Sequence, residues 1–377
     1  MVFLDGGNSL AYFILMRSLR PRVNPRKTRT ASPFQKSLYV SAMFNKANGY
    51  GELSRQFCVH AAKRVDLGIL PHGDYAAQLR DLGLAHALGS NPVKPNSLFS
   101  IQPTFSLMQA GWGNRNGILT MFETSKLNSA WCRAINSFDV LITPSHANAV
   151  DFAEQLRIPV EVCNLGHDEN LFNLQPYNQS GPFVFGAAAH VGHGRTRKGI
   201  ERIIDWFESA FPNEKNVRLS LKLNEFPENG IIPKDSRISI IENDVTDLEC
   251  KEWLTSLHCY IDGSTFEGWG MWNHHSMATG RPVIGTNYSA RCEYFKFGNH
   301  IPIGYRVVEA SDQYKGLGHW AMPDRSDAIE AMRWAFNNPD KCEIIGLTAY
   351  NSIKYLTWER FTNRVLFLLR KHQIASY

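Results

Sequence analysis

The chain has 377 residues, 44% of them hydrophobic and 20% charged, too apolar for a disordered chain and long enough for two ordinary domains. Its net charge is +5, but six basic residues and no acid lie between Arg17 and Arg29, and subtracting them leaves −1 for the rest. A fold that coats nucleic acid carries its charge on the body, so that class is disfavoured; only residues 17–29 offer salt-sensitive contact with nucleic acid or an acidic membrane surface.

Seven cysteines are scattered without a Cys-x-x-Cys pair, which argues against a disulfide framework and for a reducing, cytoplasmic setting. The apolar run Leu10–Met16 is seven residues long, far short of the ~20 a membrane span needs, so no transmembrane segment is expected. Residues 1–36 read as a basic, flexible extension.

In chain order, the first expected strand is Ser37–Met43, followed by a turn, Asn48-Gly-Tyr-Gly-Glu52, and a helix from Leu53. Val140–Pro144 and Val160–Cys163 read as strands around a helix at Ala147–Leu156. The polar stretch Gln175–Pro182 then breaks the pattern. A second series opens at Phe183–Ala189, and Ile200, Ile203, Ile204, Phe207 and Phe211 recur on one face of the next helix. Strands at Arg218–Leu223 and Arg237–Ile241, a helix at Asp247–Leu257, and strands at His258–Asp262 and Pro282–Thr286 around a helix at Met271–Thr279 complete it. Strand–helix alternation argues for parallel sheets, here two α/β Rossmann-like domains facing across a cleft. The boundaries are 37–178 for the first domain and 179–350 for the second. An amphipathic helix at 351–377 follows.

Three segments carry candidate chemistry. Ser264–Gly280 holds Glu267, Gly268, Trp269, Gly270 and Met271 where a strand passes into a helix. Backbone N–H groups at such a helix start attract anions, the glycines permit close approach, and a carboxylate there accepts hydrogen bonds from sugar hydroxyls. That combination suits a nucleotide sugar, although an ordinary βα turn with a capping Glu has the same composition. Arg195-Thr-Arg197-Lys198-Gly199 places cations after a strand end, where they can neutralise a diphosphate or simply face solvent. Gly49 and Gly51 can approach phosphates or make a plain tight turn.

From about Ser37 to the C-terminus the order of segments resembles glycosyltransferase family 4, retaining enzymes of the two-domain GT-B fold. Glu267-Gly-Trp-Gly-Met and Met277-Ala-Thr-Gly280-Arg-Pro-Val-Ile are similar to that family's Glu-Gly-Phe-Gly-Leu and Gly-x-Pro-Val-Ile block. Arg197-Lys198-Gly199-Ile200, Asn164–Asp168 with Phe172, Phe122–Leu127 with Trp131, and Asp139–Ser145 resemble further family segments in the family's order.

The resemblance implies a nucleotide-diphosphate sugar as co-substrate and a glycan, lipid-linked or other acceptor, with no metal. It implies Lys198 and Glu267 as catalytic residues, Lys198 holding the diphosphate with Arg195 or Arg197. Gly49 or Gly51 would approach the phosphates, Gly268–Met271 would supply amides, and Glu293 would lie on the donor side. Gln102, Glu123 and the Gln109–Asn116 loop are expected to meet the acceptor on the first domain, with the donor on the second. The C-terminal helix would pack back on the first domain.

Where the family carries a second Glu for the nucleotide ribose this chain has His275, and restoring Glu there is expected to keep or strengthen donor binding. Which arginine replaces the family's basic residue five before the lysine is left open, since His193 stands there. A zinc site from His190, His193, His274 and His275 lacks a Cys or carboxylate to complete it. The rival readings are a non-catalytic nucleotide-sugar or glycan-binding protein of this fold, and a DNA-modifying sugar transferase using the basic arm.

Overall fold

The computed structural model describes residues 36–45, 49–88, 94–103, 112–177, 180–190, 195–224, 233–242 and 245–375. The basic arm at 17–29, His193 and residues 109–111 of the expected acceptor loop lie outside the described residues.

The first half is a six-stranded parallel sheet. Its strands are β1 (Leu38–Ala42), β2 (Leu67–Pro71), β3 (Ser97–Ile101), β4 (Arg115–Leu119), β5 (Val140–Thr143) and β6 (Val160–Val162), in spatial order β2-β1-β3-β4-β5-β6. All five residues of β1 are buried, as a strand covered on both faces requires. Helices α1 (Gly49–Ala61), α2 (Ala76–Asp81), α3 (Ser129–Ile135) and α4 (His146–Ala153) connect these strands. The Ser145 and Asn128 side chains cap α4 and α3 by accepting backbone N–H groups.

The second sheet is also six-stranded and parallel. It holds β7 (Phe183–His190), β8 (Val217–Asn224), β9 (Ile238–Ile241), β10 (Cys259–Ile261), β11 (Val283–Gly285) and β12 (Ile301–Pro302), ordered β12-β11-β10-β7-β8-β9. Its connections include α5 (Arg195–Lys198), α6 (Ile200–Ala210), α7 (Asp247–Ser256) and α8 (Met271–Ala278). The apolar stripe of α6 is buried with Phe185, Leu219 and Leu221 in one core, and Thr246 and Glu249 form a capping box at α7. Arg195–Lys198, expected as a loop, is a helical turn; Gly199 ends it at φ 69°, a left-handed position that favours glycine.

An antiparallel hairpin follows, β13 (Tyr305–Glu309) with β14 (His319–Pro323), then helices α9 (Arg325–Asn337), α10 (Pro339–Ile353) and α11 (Trp358–Lys371). The hairpin belongs in sequence to the second half, yet Tyr314 and Trp320 share an apolar cluster with Ile118, Phe122, Leu127 and Leu141 of the first. Helix α11 packs against the first half: Phe361 meets Phe57 of α1 with ring centroids 6.2 Å apart, and Lys371 Nζ donates to Glu161 Oε1 of β6 at 2.6 Å. Where the chain returns, a Cβ on Gly166 would collide with the Thr357–Trp358 backbone, so only glycine fits.

In each sheet the strand order reverses once, between β1 and β3 and between β7 and β10. Ligands of open α/β sheets sit beyond the carboxyl ends of strands at such reversals. Gly49 and Gln102 follow β1 and β3; Lys198 and Glu267 follow β7 and β10.

Candidate active site

Glu267 follows β10 in a turn built on a buried network. Asp262 Oδ1 accepts the Ser264 N–H at 2.9 Å, while Oδ2 accepts from Asn273 Nδ2 at 2.7 Å and from the fully buried Arg291 at 2.9 Å. The Glu267 N–H donates to Ser289 Oγ at 3.1 Å. Ser289 itself sits at φ 57°, a left-handed conformation that costs about 1 kcal/mol in a non-glycine residue and here places its hydroxyl beneath the acid.

Lys198 Nζ donates to Glu267 Oε1 at 2.6 Å, and Arg197 approaches the same oxygen at 3.4 Å while also donating to the Phe266 carbonyl at 2.8 Å. Burial raises the Glu267 pKa, but the charges of Lys198 and Arg197 outweigh it and bring the group down to about 2. The acid is therefore a carboxylate at neutral pH. Three residues on, Gly270 at φ 90° opens α8, whose first N–H groups follow the acid closely in the chain. A Cβ on Gly268 would lie 2.7 Å from Met121 Cγ of the first half, so the turn runs against the opposite wall.

That wall is made by α1 and the segment after β4. Gly49 starts α1 within van der Waals reach of Met271, 3.5 Å from its Cγ to a Cβ built on the glycine. Gly51 has no room for a Cβ because the Asn45 carbonyl occupies the space, so chain packing alone requires it. Tyr50 donates to the Met121 carbonyl at 3.1 Å and accepts the Met121 N–H at 2.9 Å.

His275 stacks on Phe172 with ring centroids 3.9 Å apart and planes 8° from parallel. Its Nε2 lies 3.3 Å from Glu52 Oε1, a carboxylate from the first turn of α1. His274 accepts from Trp269 Nε1 at 3.2 Å, and burial keeps it neutral. Both histidines are thus committed to packing, and among the described residues no group of three or more His, Cys, Asp or Glu is arranged to hold a metal ion.

Gln102 is fully buried just after β3, and among the described residues neither its Oε1 nor its Nε2 has a hydrogen-bond partner. Orphaned amide atoms cost about 1–3 kcal/mol each, which marks the position as one a polar ligand would relieve. Glu123 accepts from Tyr314 at 3.1 Å and lies 3.6 Å from Arg197. Glu293 accepts the His146 N–H at 2.6 Å and Asn164 Nδ2 at 3.1 Å, so it joins the two halves. Arg195 is the first residue of α5, and its side chain lies outside the described residues. Glu52, Tyr50, Ser289 and Tyr314 were not singled out in the sequence; the one local cue was Glu52's place beside Gly51.

No family model matches the sequence, and neither does any curated protein. Solved structures do match in fold. HepE of Anabaena, in complex with UDP and glucose, aligns with TM-score 0.63 at 14% identity over 89% of this chain and 99% of its own. Sucrose-phosphate synthase from Thermosynechococcus elongatus aligns with TM-score 0.62 at 12% identity, over 90% and 100%. The trehalose-6-phosphate synthase OtsA aligns with TM-score 0.63 at 8% identity, over 89% and 99%. Among the described residues no helix is long and apolar enough to cross a membrane. Two six-stranded parallel sheets joined in this order, over nearly the full length of those proteins, give this chain the GT-B fold.

Proposed function

We propose that the protein is a retaining glycosyltransferase that takes a nucleotide-diphosphate sugar as donor. The observation that carries this reading is the Lys198–Glu267 pair, 2.6 Å apart beyond the ends of β7 and β10, beside the glycine-opened N-terminus of α8. A cation and helix amides suit a diphosphate, and a carboxylate suits sugar hydroxyls. The bound UDP and glucose of HepE, and the sugar-phosphate synthases that share the fold, support the same donor class.

In this mechanism the glycosidic bond opens and negative charge grows on the departing diphosphate. Lys198 and the amides of Gly268–Met271 are fixed before the reaction, so they stabilise that charge without reorganising. Glu267 stays ionised and orients the transferred sugar through its hydroxyls. The reading calls for no metal ion, and turnover is expected to survive chelation. The Gln102 amide, buried and without a partner among the described residues, would take a hydroxyl of the acceptor.

The test is a thermal-shift panel of UDP, GDP, CDP and ADP on wild type and Lys198→Ala. A ligand at ~100 times its dissociation constant adds ~2.7 kcal/mol to stability. One nucleotide should stabilise wild type and not the variant. With the matching sugar donor, Lys198→Ala should turn over ~100-fold more slowly, the loss of one preorganised donor being worth ~3 kcal/mol. No shift from any nucleotide at millimolar concentration would overturn the reading, and a rate loss under about threefold would remove Lys198 from it.

A further inference from the structure

Arg197 sits between two carboxylates from opposite halves of the molecule. Its guanidinium is 3.4 Å from Glu267 Oε1 on one side and 3.6 Å from Glu123 Oε1 on the other, and it donates to the Phe266 carbonyl. The side chain is 9% exposed, against 17% for Lys198. Glu123 is equally committed. One carboxylate oxygen accepts from Tyr314 at 3.1 Å, the other faces Arg197, and its main-chain carbonyl accepts from Trp320 Nε1 at 2.9 Å. Thr124 and Ser125 continue the seam, donating to the Leu317 carbonyl at 2.6 Å and accepting the His319 N–H at 2.9 Å.

We propose that Glu123 and Arg197 are positioning residues for Glu267, not acceptor and donor contacts, and that the 305–323 hairpin fixes them through Tyr314. The inference rests on the glycosyltransferase reading. Its physical basis is competition at one oxygen. Lys198 and Arg197 both converge on Glu267 Oε1, and the charge of Glu123 draws the guanidinium back so that Lys198 makes the shorter contact. Without that charge, Arg197 closes on Glu267. In a buried setting such a pair is strong, and it holds the carboxylate away from a sugar hydroxyl. Burial by itself would lower the Arg197 pKa, but the charges of Glu123 and Glu267 outweigh it and keep the guanidinium charged. The consequence falls on the step in which Glu267 orients the sugar, and not on the diphosphate contacts of Lys198.

The experiment compares wild type, Glu123→Gln, Glu123→Asp, Arg197→Lys and Tyr314→Phe by UDP release from UDP-glucose, or from the sugar of whichever nucleotide the panel selects. Nucleoside diphosphate affinity is measured alongside by calorimetry. Glu123→Gln and Arg197→Lys should lower kcat about tenfold or more, the range for a lost charged hydrogen bond, with diphosphate affinity within about threefold of wild type. Glu123→Asp, which keeps the charge, should recover most of the rate, and Tyr314→Phe should lower it in the same direction. The proposal is overturned if kcat stays within about threefold in both Glu123→Gln and Arg197→Lys. It is also overturned if diphosphate affinity falls in step with kcat, because Arg197 would then touch the donor. A wild type that neither binds a nucleoside diphosphate nor consumes a nucleotide sugar defeats the underlying reading instead, and is told apart by that absence of binding.

Discussion

Glu293 caps a helix that belongs to the other sheet: its Oε1 accepts the backbone N–H of His146, the first residue of α4, at 2.6 Å. The same carboxylate takes Asn164 Nδ2 at 3.1 Å and stands 3.1 Å from the His146 ring. Glu293→Ala should therefore cost about 1 kcal/mol or somewhat more, the range for a lost N-terminal cap. Urea midpoints at constant slope give the number. An unchanged midpoint would mean that the Ser145 hydroxyl, which also caps α4, suffices alone.

Position 275 offers a sharper case. From the sequence, His275→Glu is expected to keep or strengthen donor binding, but Glu52 stands 3.3 Å from the His275 ring nitrogen. Two carboxylates in that partly buried space cannot both ionise without repulsion. His275→Glu should lose about 1–3 kcal/mol of stability at pH 8, and the double variant with Glu52→Gln should regain more than half of it. Additive losses in the double-mutant cycle would show that the two positions do not interact.

His167 and His274 face each other, ring centroids 5.1 Å apart, and burial holds both neutral. His167 is brought down to about 4. A histidine whose folded pKa is depressed contributes fully above its unfolded value near 6.5, and that contribution is lost as the pH falls from there toward the folded value. Between pH 7.5 and pH 5, His167 alone should remove about 2 kcal/mol of stability. His167→Phe should flatten the dependence by that amount in urea titrations at the two pH values. An unaltered slope would place the proton uptake elsewhere.

Gly166→Ala tests the return of the chain. The added methyl group meets backbone atoms of Thr357 and Trp358, which cannot rotate away as a side chain would. A loss of about 3 kcal/mol or more, or failure to accumulate folded protein, is expected. A near-native midpoint would show that α11 can shift without penalty.

Much of the fold is legible in the sequence because buried parallel strands read as nearly continuous apolar runs. Tyr39–Ala42, Val140–Thr143 and Phe183–Ala189 all announce themselves this way, and the stripe from Ile200 to Phe207 gives α6. Strand β4, Arg-Asn-Gly-Ile-Leu, does not, since its first residues are polar and its glycine makes room for Leu369 from α11. The hairpin was equally silent: Tyr305, Arg306 and Val307 are exposed, so no alternating pattern survives. Lys198 and Glu267 stood out by their place between a strand and a helix. Glu52 and Tyr314 could not, because each matters through a partner far away in sequence. Glu123 and Glu293 were visible as residues, but their partners, Tyr314 with Arg197 and His146 with Asn164, required coordinates.

The course of α11 sets an order of events during synthesis. Phe57 and Cys163, laid down early, are covered in part by Phe361. Until residues 358–371 leave the ribosome, the apolar residues that α11 buries against the first half lack that cover. The half made first is thus completed last, and a nascent chain stalled before Trp358 would present those residues to chaperones even with its second sheet already folded.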